Sequence, residues 1–407
     1  MADVYQQSVE LHRKYKGKLG VHALVSVKNR LDLALAYTPG VAEPCRLIAK
    51  DPKASYDLTW RGRTVAVISD GSAVLGLGNI GPEAALPVME GKSLLMKEFA
   101  GVDSVPLVIN TQVTAEIIQF VKAVAPSFAG INLEDIAAPR CFEVEDALQE
   151  IGIPVFHDDQ HGTAIVVTAG LHNAAKVAHK KFSSLKVVMV GAGAAGLATA
   201  KMLLALDGPW LSLTQMTKRE RVAQLTLVDT RGIVYPSRPD VSAPQNRYKA
   251  ALLKFSNTPD SPGDLAAALK GADVVIGVSG PNLISIEMIS SMAKDAIVFA
   301  MANPTPEILP DDAKKGGALV VATGRSDFQN QVNNVLVFPG VFKAVIDARL
   351  TQITTPMKYA AAEALAALVP HPTANEILPD PFYPNVAEQI STAIIAAGAQ
   401  QKGESCQ

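Results

Sequence analysis

Short runs of apolar residues alternate with longer segments of helical periodicity over most of the chain. One helical segment at 114–126 separates two of the early runs, and another at 143–152 ends at Gly152. This alternation of strand and helix patterns predicts parallel α/β units. Four short runs in the first part of the chain predict buried strands: 64–69, 105–110, 130–135 and 153–159.

A second series of the same kind follows the segment "KKFSSLK". Residues 207–224 lengthen one of its connections, which predicts a surface insertion, and the chain after Phe342 carries helical patterns. We therefore expect an α/β protein of two domains, residues 1–157 and residues 158–407, the second including the C-terminal helices. The strands predicted in this series are 187–191, 224–229, 272–278, 296–304 and 318–324.

Two glycine-rich segments, "GLGNIG" at 76–81 and "GAGAAG" at 191–196, have the spacing of a dinucleotide-binding turn. Such a turn needs a helix behind it, whose positive end stabilises the pyrophosphate. Strong helix formers follow the second segment, whereas Pro87 and Gly91 follow the first and are expected to interrupt a helix. We therefore predict a Rossmann-like second domain and only a tight turn at 76–81. The predicted cofactor-binding residues of the second segment are Gly191, Gly193, Ala194, Ala195 and Gly196.

An acidic residue at the end of the next strand normally binds the ribose of the dinucleotide. Asp229 ends the strand at 224–229, which slightly favours NAD over NADP. Arg231 follows two residues later and could accommodate a 2′-phosphate, so both cofactors stay open. Asp103, the corresponding acid for the first glycine segment, precedes its strand and so lies at the wrong end.

Carboxylates follow three strands predicted in the first domain. Glu134 and Asp135 end one strand, Asp158 and Asp159 end another, and Asp70 follows a third. Ligands bind at the carboxyl ends of parallel strands, and carboxylates gathered there repel one another unless a cation or shared protons intervene. Oxygen ligands without a Cys/His set predict Mg²⁺ or Mn²⁺. Helix capping or surface charge is the alternative, and it explains Asp70 better than the two adjacent pairs.

Five further residues are candidates for chemistry in or near the same site. A metal cation beside Lys92 would lower the pKa of its ammonium, which would let it act as a base; a solvated surface charge is the alternative. Tyr37 lies in a turn, where packing alone would explain it. Asn303 ends a strand, and Asn333 and Asn334 precede an apolar run. Their amides could donate hydrogen bonds to a carboxylate, with turn formation as the alternative.

Together these segments resemble the malic enzyme family, most closely its short bacterial-type members. The resemblance covers roughly residues 15–390 and implies decarboxylation of L-malate to pyruvate and CO₂, with reduction of NAD or NADP, a divalent cation such as Mg²⁺ or Mn²⁺, and a homodimer. The segments that carry it occur in order: "YTPGVAEP", "ISDGSAVLGLGNIG", "EGKSLLMK", "INLEDIAAPRCFEVE", "PVFHDDQHGTA", "VGAGAAG", "ANPTPE" and "NNVLVFPG".

The resemblance also implies roles for individual residues. Lys92 would take the hydroxyl proton as hydride leaves for the nicotinamide, and Tyr37 would protonate the methylene carbon of enolpyruvate. The metal would polarise the carbonyl of an oxaloacetate intermediate. The implied metal ligands are Glu134, Asp135 and Asp159, with Asp158 beside them, and the implied substrate-binding amides are those of Asn303, Asn333 and Asn334, Asn303 also being assigned to the cofactor.

One position departs from the larger eukaryotic-type members, which have a malate-binding arginine where this chain has Ala73. Another residue must therefore pair with the substrate. The same base, metal and fold would also serve an oxaloacetate decarboxylase or a malolactic-type lyase that keeps its NAD. A catalytically inactive dinucleotide-binding regulator is a third alternative, disfavoured by the joint presence of Lys92, Tyr37 and the strand-end acids.

Composition and charge narrow the classes of partner and of site that the protein could have. The 407 residues have a formal net charge of −2, which gives no electrostatic reason to expect nucleic acid or an anionic membrane as a partner. No apolar run approaches the roughly 18 residues of a membrane-spanning helix. The three cysteines are far apart and predict neither a disulfide framework nor a zinc site. We expect a cytoplasmic protein that binds a small dicarboxylate.

Overall fold

A computed structural model describes residues 3–404 and contains one parallel sheet and one mostly parallel sheet, in line with the predicted α/β class. The four strands of the first sheet lie in the order β2-β1-β3-β4 and are all parallel. Parallel strands of this kind are covered by helices on their faces, which agrees with the complete burial of β1. The strands are β1 (Thr64–Ser69), β2 (Asp103–Val108), β3 (Gly130–Leu133) and β4 (Val155–His157).

The helices of the first half differ sharply in burial. α5 packs on the sheet and buries Ala85, Met89 and Met96, whereas α1, α2 and α3 contain no buried residue. α7 ends at Asp146, earlier than the predicted Gly152. The helices are α1 (Val4–Tyr15), α2 (Arg30–Ala36), α3 (Ala42–Lys50), α4 (Ser55–Leu58), α5 (Pro82–Ala100), α6 (Thr114–Val124), α7 (Arg140–Asp146) and α8 (Asp158–Val177).

The second sheet has the order β12-β11-β10-β5-β8-β9, in which only β9 is antiparallel. The strand order reverses on either side of β5, and this switch point is where open α/β sheets bind ligands. A separate hairpin, β6 and β7, lies within the long connection after β5. The strands are β5 (Lys186–Val190), β6 (Leu206–Asp207), β7 (Thr214–Gln215), β8 (Gln224–Asp229), β9 (Gly232–Ile233), β10 (Val274–Gly277), β11 (Ala296–Ala300) and β12 (Ala318–Thr323).

Helices surround this sheet and close the C-terminal part of the chain. α14 packs against both α5 and α16, so the C-terminal helices join the two halves. No helix within residues 3–404 is long and apolar enough to cross a membrane. The helices are α9 (Ala194–Leu203), α10 (Arg247–Leu253), α11 (Leu265–Leu269), α12 (Ile286–Ser290), α13 (Pro310–Lys315), α14 (Phe338–Ala348), α15 (Thr355–Ala367) and α16 (Val386–Glu404).

The expected interruption of the helix after "GLGNIG" is wrong. α5 runs through both Pro87 and Gly91 without a break. Proline removes one backbone donor, but tertiary packing of a buried face outweighs a single lost hydrogen bond. The glycine segment itself forms a closed turn, in which the backbone N–H groups of Ile80 and Gly81 both donate to the carbonyl of Gly71.

The segment 207–224 is also more than the predicted surface insertion. Trp210 is only 1% exposed, and its indole packs 4.7 Å from the ring of Phe142 and 6.0 Å from that of Tyr248, measured between centroids. Phe142 belongs to α7 of the first half and Tyr248 to α10 of the second. The insertion therefore places a buried aromatic side chain between the two halves.

Candidate active site

A cavity of about 730 Å³ lies where the carboxyl ends of the two sheets face each other. It is lined by α5, by the residues after β3, by the start of α8, by the turn after β5 and by residues 332–338. Among the described residues that line it, Lys92 is the one cationic side chain, and Glu134, Asp135 and Asp159 are the acids. The cavity therefore combines most of the predicted site residues from both halves of the chain.

Glu134, Asp135 and Asp159 each place a carboxylate oxygen within 4.8 Å of the others. Glu134 and Asp135 directly follow β3, and Asp159 lies in the first turn of α8, where a negative charge is favoured by the helix dipole. Two hydrogen bonds hold this geometry: the backbone N–H of Asp135 donates to Oδ2 of Asp159 at 2.7 Å, and Nδ2 of Asn132 donates to Oε2 of Glu134 at 2.9 Å.

The electrostatics of these acids suit a divalent cation. Burial, followed by the charge of Asp159, raises the pKa of Glu134 to about 7, and burial also raises the pKa of Asp159 above its usual range. A cation that neutralises carboxylates with raised pKa values stabilises their ionised form. Three hard oxygen donors are the set that Mg²⁺ and Mn²⁺ prefer, so the residues present fit such an ion.

Lys92 lies on α5 with its ammonium among carboxylates. Its Nζ is 3.0 Å from Oε1 of Glu134 and contacts Oδ2 of Asp158. Burial on its own lowers the pKa of Lys92, but the charges of Asp158, Glu134 and Asp159 outweigh burial and raise that pKa above its usual value. The expected lowering of the Lys92 pKa requires a cation that neutralises the same carboxylates, so it stays a prediction for the metal-bound protein.

Asp158 links Lys92 to the segment after β12. Nδ2 of Asn334 donates a hydrogen bond of 2.6 Å to Oδ2 of Asp158, the oxygen that Lys92 also contacts. Burial raises the pKa of Asp158 to about 7. Asn333 also lines the cavity, but its side chain is engaged with the backbone of Gly324 and Val335. Of the two adjacent amides, only Asn334 reaches the Lys92 cluster.

The turn of "GLGNIG" meets Asn303 across the cavity. A Cβ atom added to Gly76 would lie 2.0 Å from the backbone oxygen of Asn303, so only glycine permits this approach. Gly76, Asn303 and Ala73 all line the cavity. The first glycine segment thus serves contact between the two halves of the chain.

The second glycine segment has the geometry of a dinucleotide turn. Gly191 has φ +110°, and a Cβ on Gly196 would lie 1.9 Å from the oxygen of Gly191, so both glycines are required by the backbone itself. A Cβ on Gly193 would instead enter open space at the start of α9. Gly193, Ala194 and Ala195 line the cavity, where their open side leaves room for a pyrophosphate at the helix N-terminus.

Asp229 ends β8 as predicted, but its carboxylate is heavily engaged. Arg238 donates to both of its oxygens, at 2.9 Å and 2.7 Å, and Nζ of Lys249 lies 2.6 Å from Oδ2. Burial tends to raise the pKa of Asp229, but the hydrogen bonds from Arg238 and Lys249 outweigh it and hold that pKa well below its usual range. The carboxylate at this strand end is therefore ionised and neutralised by its neighbours.

The single chain does not bring Tyr37 into the cavity. Its side chain is 67% exposed, and it is absent from the lining among the described residues. Tyr37 follows α2, which contributes no buried residue to the fold. The sequence grouped Tyr37 with Lys92 as a catalytic pair, and within one copy of the chain the two are separate.

Asp70 has a structural role, in a buried ion pair rather than as the helix cap or surface charge that the alternative predicted. Nη2 of Arg140 donates to Oδ2 of Asp70 at 2.8 Å, and the hydroxyl of Ser72 donates to Oδ1 at 2.6 Å. The hydroxyl of Ser72, the residue before Ala73, also accepts from Nη2 of Arg140 at 2.8 Å. Ala73 lines the cavity, whereas Arg140 is not among the described residues of its lining.

Sequence reasoning missed Asn132, which holds Glu134, and Ser279, which lines the cavity beside the dinucleotide turn. Asn132 is a polar residue inside a fully buried strand, and that contrast was a usable signal. Ser279 offers none, because it follows an apolar strand as many loop residues do.

An acidic cavity that faces a dinucleotide turn, between a parallel sheet and a mostly parallel one, defines a two-domain α/β protein of the dinucleotide-dependent dehydrogenase class. Residues 16–149 match the family model described as "Malic enzyme, N-terminal domain", and residues 160–401 match "Malic enzyme, NAD binding domain". The chain belongs to the malic enzyme family.

Individual relatives agree with this assignment. The bifunctional malic/malolactic enzyme of Bacillus subtilis is 50% identical over 398 residues, which cover 97% of this chain and 93% of that protein. The NADP-dependent malic enzyme of Halomonas elongata is 44% identical, over 96% of this chain and 93% of the relative. The crystal structure of an NAD-dependent malic enzyme from Thermotoga maritima, also 44% identical, covers 97% of this chain and 99% of its own, with a TM-score of 0.89.

Proposed function

We propose that this protein oxidises and decarboxylates L-malate to pyruvate and CO₂, with reduction of NAD or NADP and a divalent cation. One observation carries the proposal: the turn at Gly193 and the Lys92 cluster line the same cavity. A hydroxy-acid bound among the carboxylates would present its C2 hydrogen toward the nicotinamide. Such proximity of donor and acceptor is the main requirement of hydride transfer.

Lys92 is proposed as the base. Its ammonium must first lose a proton, and Oδ2 of Asp158 is the acceptor in contact with it. The neutral amine would then take the proton of the C2 hydroxyl as the C2 hydride leaves. The contact of Lys92 with Asp158, and that of Asp158 with Asn334, fix the position of the amine before substrate enters.

Glu134, Asp135 and Asp159 are proposed to hold Mg²⁺ or Mn²⁺. A divalent cation at this place would polarise the carbonyl oxygen of the keto-acid and so stabilise the enolate left by loss of CO₂. The residues around it orient the site: Asn132 fixes Glu134, and the backbone of Asp135 fixes Asp159. The side chain of Asn303 would reach the substrate or the cofactor from the opposite wall.

Tyr37 is proposed to act in the active site of a second copy of this chain. Three leucines of α2, Leu31, Leu33 and Leu35, are each more than half exposed, and α1 to α3 bury no residue. Exposed apolar side chains concentrated in one segment are typical of a protein interface, and symmetric dimers are the commonest assembly. If α1 to α3 form an arm that docks on a second copy of the chain, these leucines would be buried there.

The segment that joins α1 to α2 in this arm lies close to α5, the helix that carries Lys92. The backbone N–H of Lys18 donates to Oε2 of Glu90 at 2.9 Å, and its Nζ donates to the carbonyl of Pro87 at 2.6 Å. Both partners belong to α5, where Glu90 lies two residues and Pro87 five residues before Lys92. We propose a homodimer in which each arm, anchored near its own α5, carries Tyr37 to the cavity of the partner copy, where it would protonate enolpyruvate.

The proposal is tested by following reduced-cofactor absorbance with purified protein, L-malate and Mn²⁺, with NAD and NADP in parallel. Reduction of the cofactor together with pyruvate formation is expected. Conversion of malate to lactate without net cofactor reduction would instead establish the malolactic alternative. This alternative is tested because the Bacillus subtilis relative is named a bifunctional malic/malolactic enzyme. Turnover of oxaloacetate alone would establish a decarboxylase.

A cytoplasmic location remains part of the proposal and is checked by cell fractionation.

A further inference from the structure

The carboxylate of Asp229 has no acceptor position left for a ribose hydroxyl. A carboxylate accepts about four hydrogen bonds, two on each oxygen. Oδ1 accepts from the backbone N–H of Arg231 and from Nη1 of Arg238, both at 2.9 Å. Oδ2 accepts from Nη2 of Arg238 at 2.7 Å and from Nζ of Lys249 at 2.6 Å. A ribose diol, which must donate to such an acid, finds no free partner.

Arg238 is equally saturated. Its five N–H groups are used by Asp229, by Asp240 and by the carbonyl of Ile233, and its side chain is buried. The guanidinium therefore supplies a fixed positive charge behind the strand end and offers no donor to a ligand.

Free donors remain on two other cations of this cluster. Lys249 uses one of its three N–H donors, at Asp229, and Arg231 uses one side-chain donor, to Oδ2 of Asp240 at 3.2 Å. The side chain of Arg231 is 71% exposed and that of Lys249 is 18% exposed, so both reach solvent beside the end of β8. The cluster of three cations and two acids carries an excess of one positive charge.

We propose that Arg231 and Lys249 bind the 2′-phosphate of NADP, so that this enzyme prefers NADP over NAD. The inference rests on the proposed function for the class of cofactor and replaces the slight preference for NAD that Asp229 suggested from sequence. Charge-assisted hydrogen bonds from two cations suit a dianionic phosphate, whereas a neutral diol meets only donors. Relatives above 40% identity are named for NAD and for NADP, so identity alone does not decide the matter.

The test is calorimetric titration of the purified protein with NADP and with NAD, in the absence of malate. The unaltered protein should bind NADP at least about tenfold more tightly than NAD. Arg231→Ala and Lys249→Gln should each weaken NADP binding by about 10- to 100-fold, as expected for loss of a charge-assisted hydrogen bond, and leave NAD binding within about twofold. Lys254→Ala, an exposed lysine beyond the end of α10, is the matched control and should change neither affinity.

Two outcomes would overturn the inference: tighter or equal binding of NAD by the unaltered protein, or equal losses of NAD and NADP binding in Arg231→Ala. Because Lys249→Gln retains an amide for Asp229 and Arg231 is largely exposed, at least one variant remains folded for the comparison. The outcome is independent of turnover. A protein that fails to oxidise malate yet prefers NADP through these residues would refute the proposed reaction and leave this inference standing.

Discussion

The ammonium of Lys92 lies 3.0 Å from Oε1 of Glu134, which ties the helix that carries the proposed base to the strand end that carries a proposed metal ligand. Any change at either residue therefore affects both functions. The site is one cluster in which a cation on α5 balances acids from β3 and α8, and its parts are best separated by comparing variants that remove one charge at a time.

Lys92→Ala should lower kcat by about 10²- to 10⁴-fold, because the amine that accepts the hydroxyl proton is lost. It should also lower the free energy of unfolding by about 3–5 kcal/mol, since Asp158 and Glu134 lose their buried partner. Lys97→Ala is the control: Lys97 lies on the same helix but is half exposed and pairs with Asp103. Steady-state kinetics and urea unfolding measure the two effects. Near-normal turnover of Lys92→Ala would refute the assignment of the base.

Asp159→Asn should weaken binding of Mn²⁺, because an amide is a poorer ligand than a carboxylate. Electron paramagnetic resonance of free Mn²⁺ gives the affinity without any assay of turnover. Asp158→Asn is the matched comparison, since Asp158 contacts Lys92 and Asn334 and is not one of the three clustered acids. It should lower kcat and leave Mn²⁺ affinity nearly unchanged. The same loss of Mn²⁺ affinity in both variants would contradict the assigned division of roles.

Gly193→Ala should fold normally and bind NADP poorly. The added methyl group meets no protein atom within 4 Å and instead occupies the place of approach to the pyrophosphate. Gly191→Ala should behave differently, because Gly191 has φ +110° and its Cβ would lie 2.7 Å from the oxygen of Val278. That variant should lose about 1–3 kcal/mol of stability. Thermal unfolding and cofactor fluorescence are the measurements, and normal NADP binding by Gly193→Ala would argue against the assigned turn.

Local patterns predicted the sheets well. The runs at 64–69 and 224–229 are the strands β1 and β8 with the predicted bounds, because buried parallel strands are continuous apolar runs. The acids at strand ends converge for the same reason: parallel strands place their carboxyl ends at one edge. Glu134, Asp135 and Asp159 were therefore predictable as a cluster from sequence.

Helix α5 shows what a rule about single residues misses. Ala85, Met89, Ser93 and Met96 recur at helical spacing and are buried, and this pattern was present in the sequence beside Pro87. Tertiary contacts decided the outcome. The saturation of Asp229 could not be predicted either, because Arg238 and Lys249 reach it only through the fold of the segment after β9.

Trp210→Ala should destabilise the protein by about 3–5 kcal/mol, the usual cost of removing a buried aromatic side chain. Trp210 packs between Phe142 and Tyr248, so the loss would loosen the contact between the two halves. The adjacent Leu211→Ala is the control, since Leu211 is 61% exposed and should change stability by less than about 0.5 kcal/mol. If chemical unfolding showed equal and small changes in the free energy of unfolding for both variants, the segment would be only a surface insertion.

Tyr37 acting in a second copy makes a prediction that no other arrangement makes. Tyr37→Phe and Lys92→Ala chains, carrying different affinity tags, are co-expressed and purified over both tags, so that each dimer contains one of each. If the arm crosses, one site loses both groups and the other has both, because the Lys92 of one chain meets the Tyr37 of the other. Such heterodimers should show about half of the wild-type kcat, as one of the two symmetric sites is whole.

Each variant purified alone should be nearly inactive, and heterodimers of two differently tagged Lys92→Ala chains control for effects of the tags. Analytical ultracentrifugation checks that the purified species is a dimer. If Tyr37 instead served its own chain, both sites of the mixed dimer would lack one group, and activity would stay at the level of the single variants. Recovery of activity would show that Tyr37, the proposed acid, enters the cavity from the second copy of the chain. The exposed side chains of Leu31, Leu33 and Leu35 would then be buried against that copy.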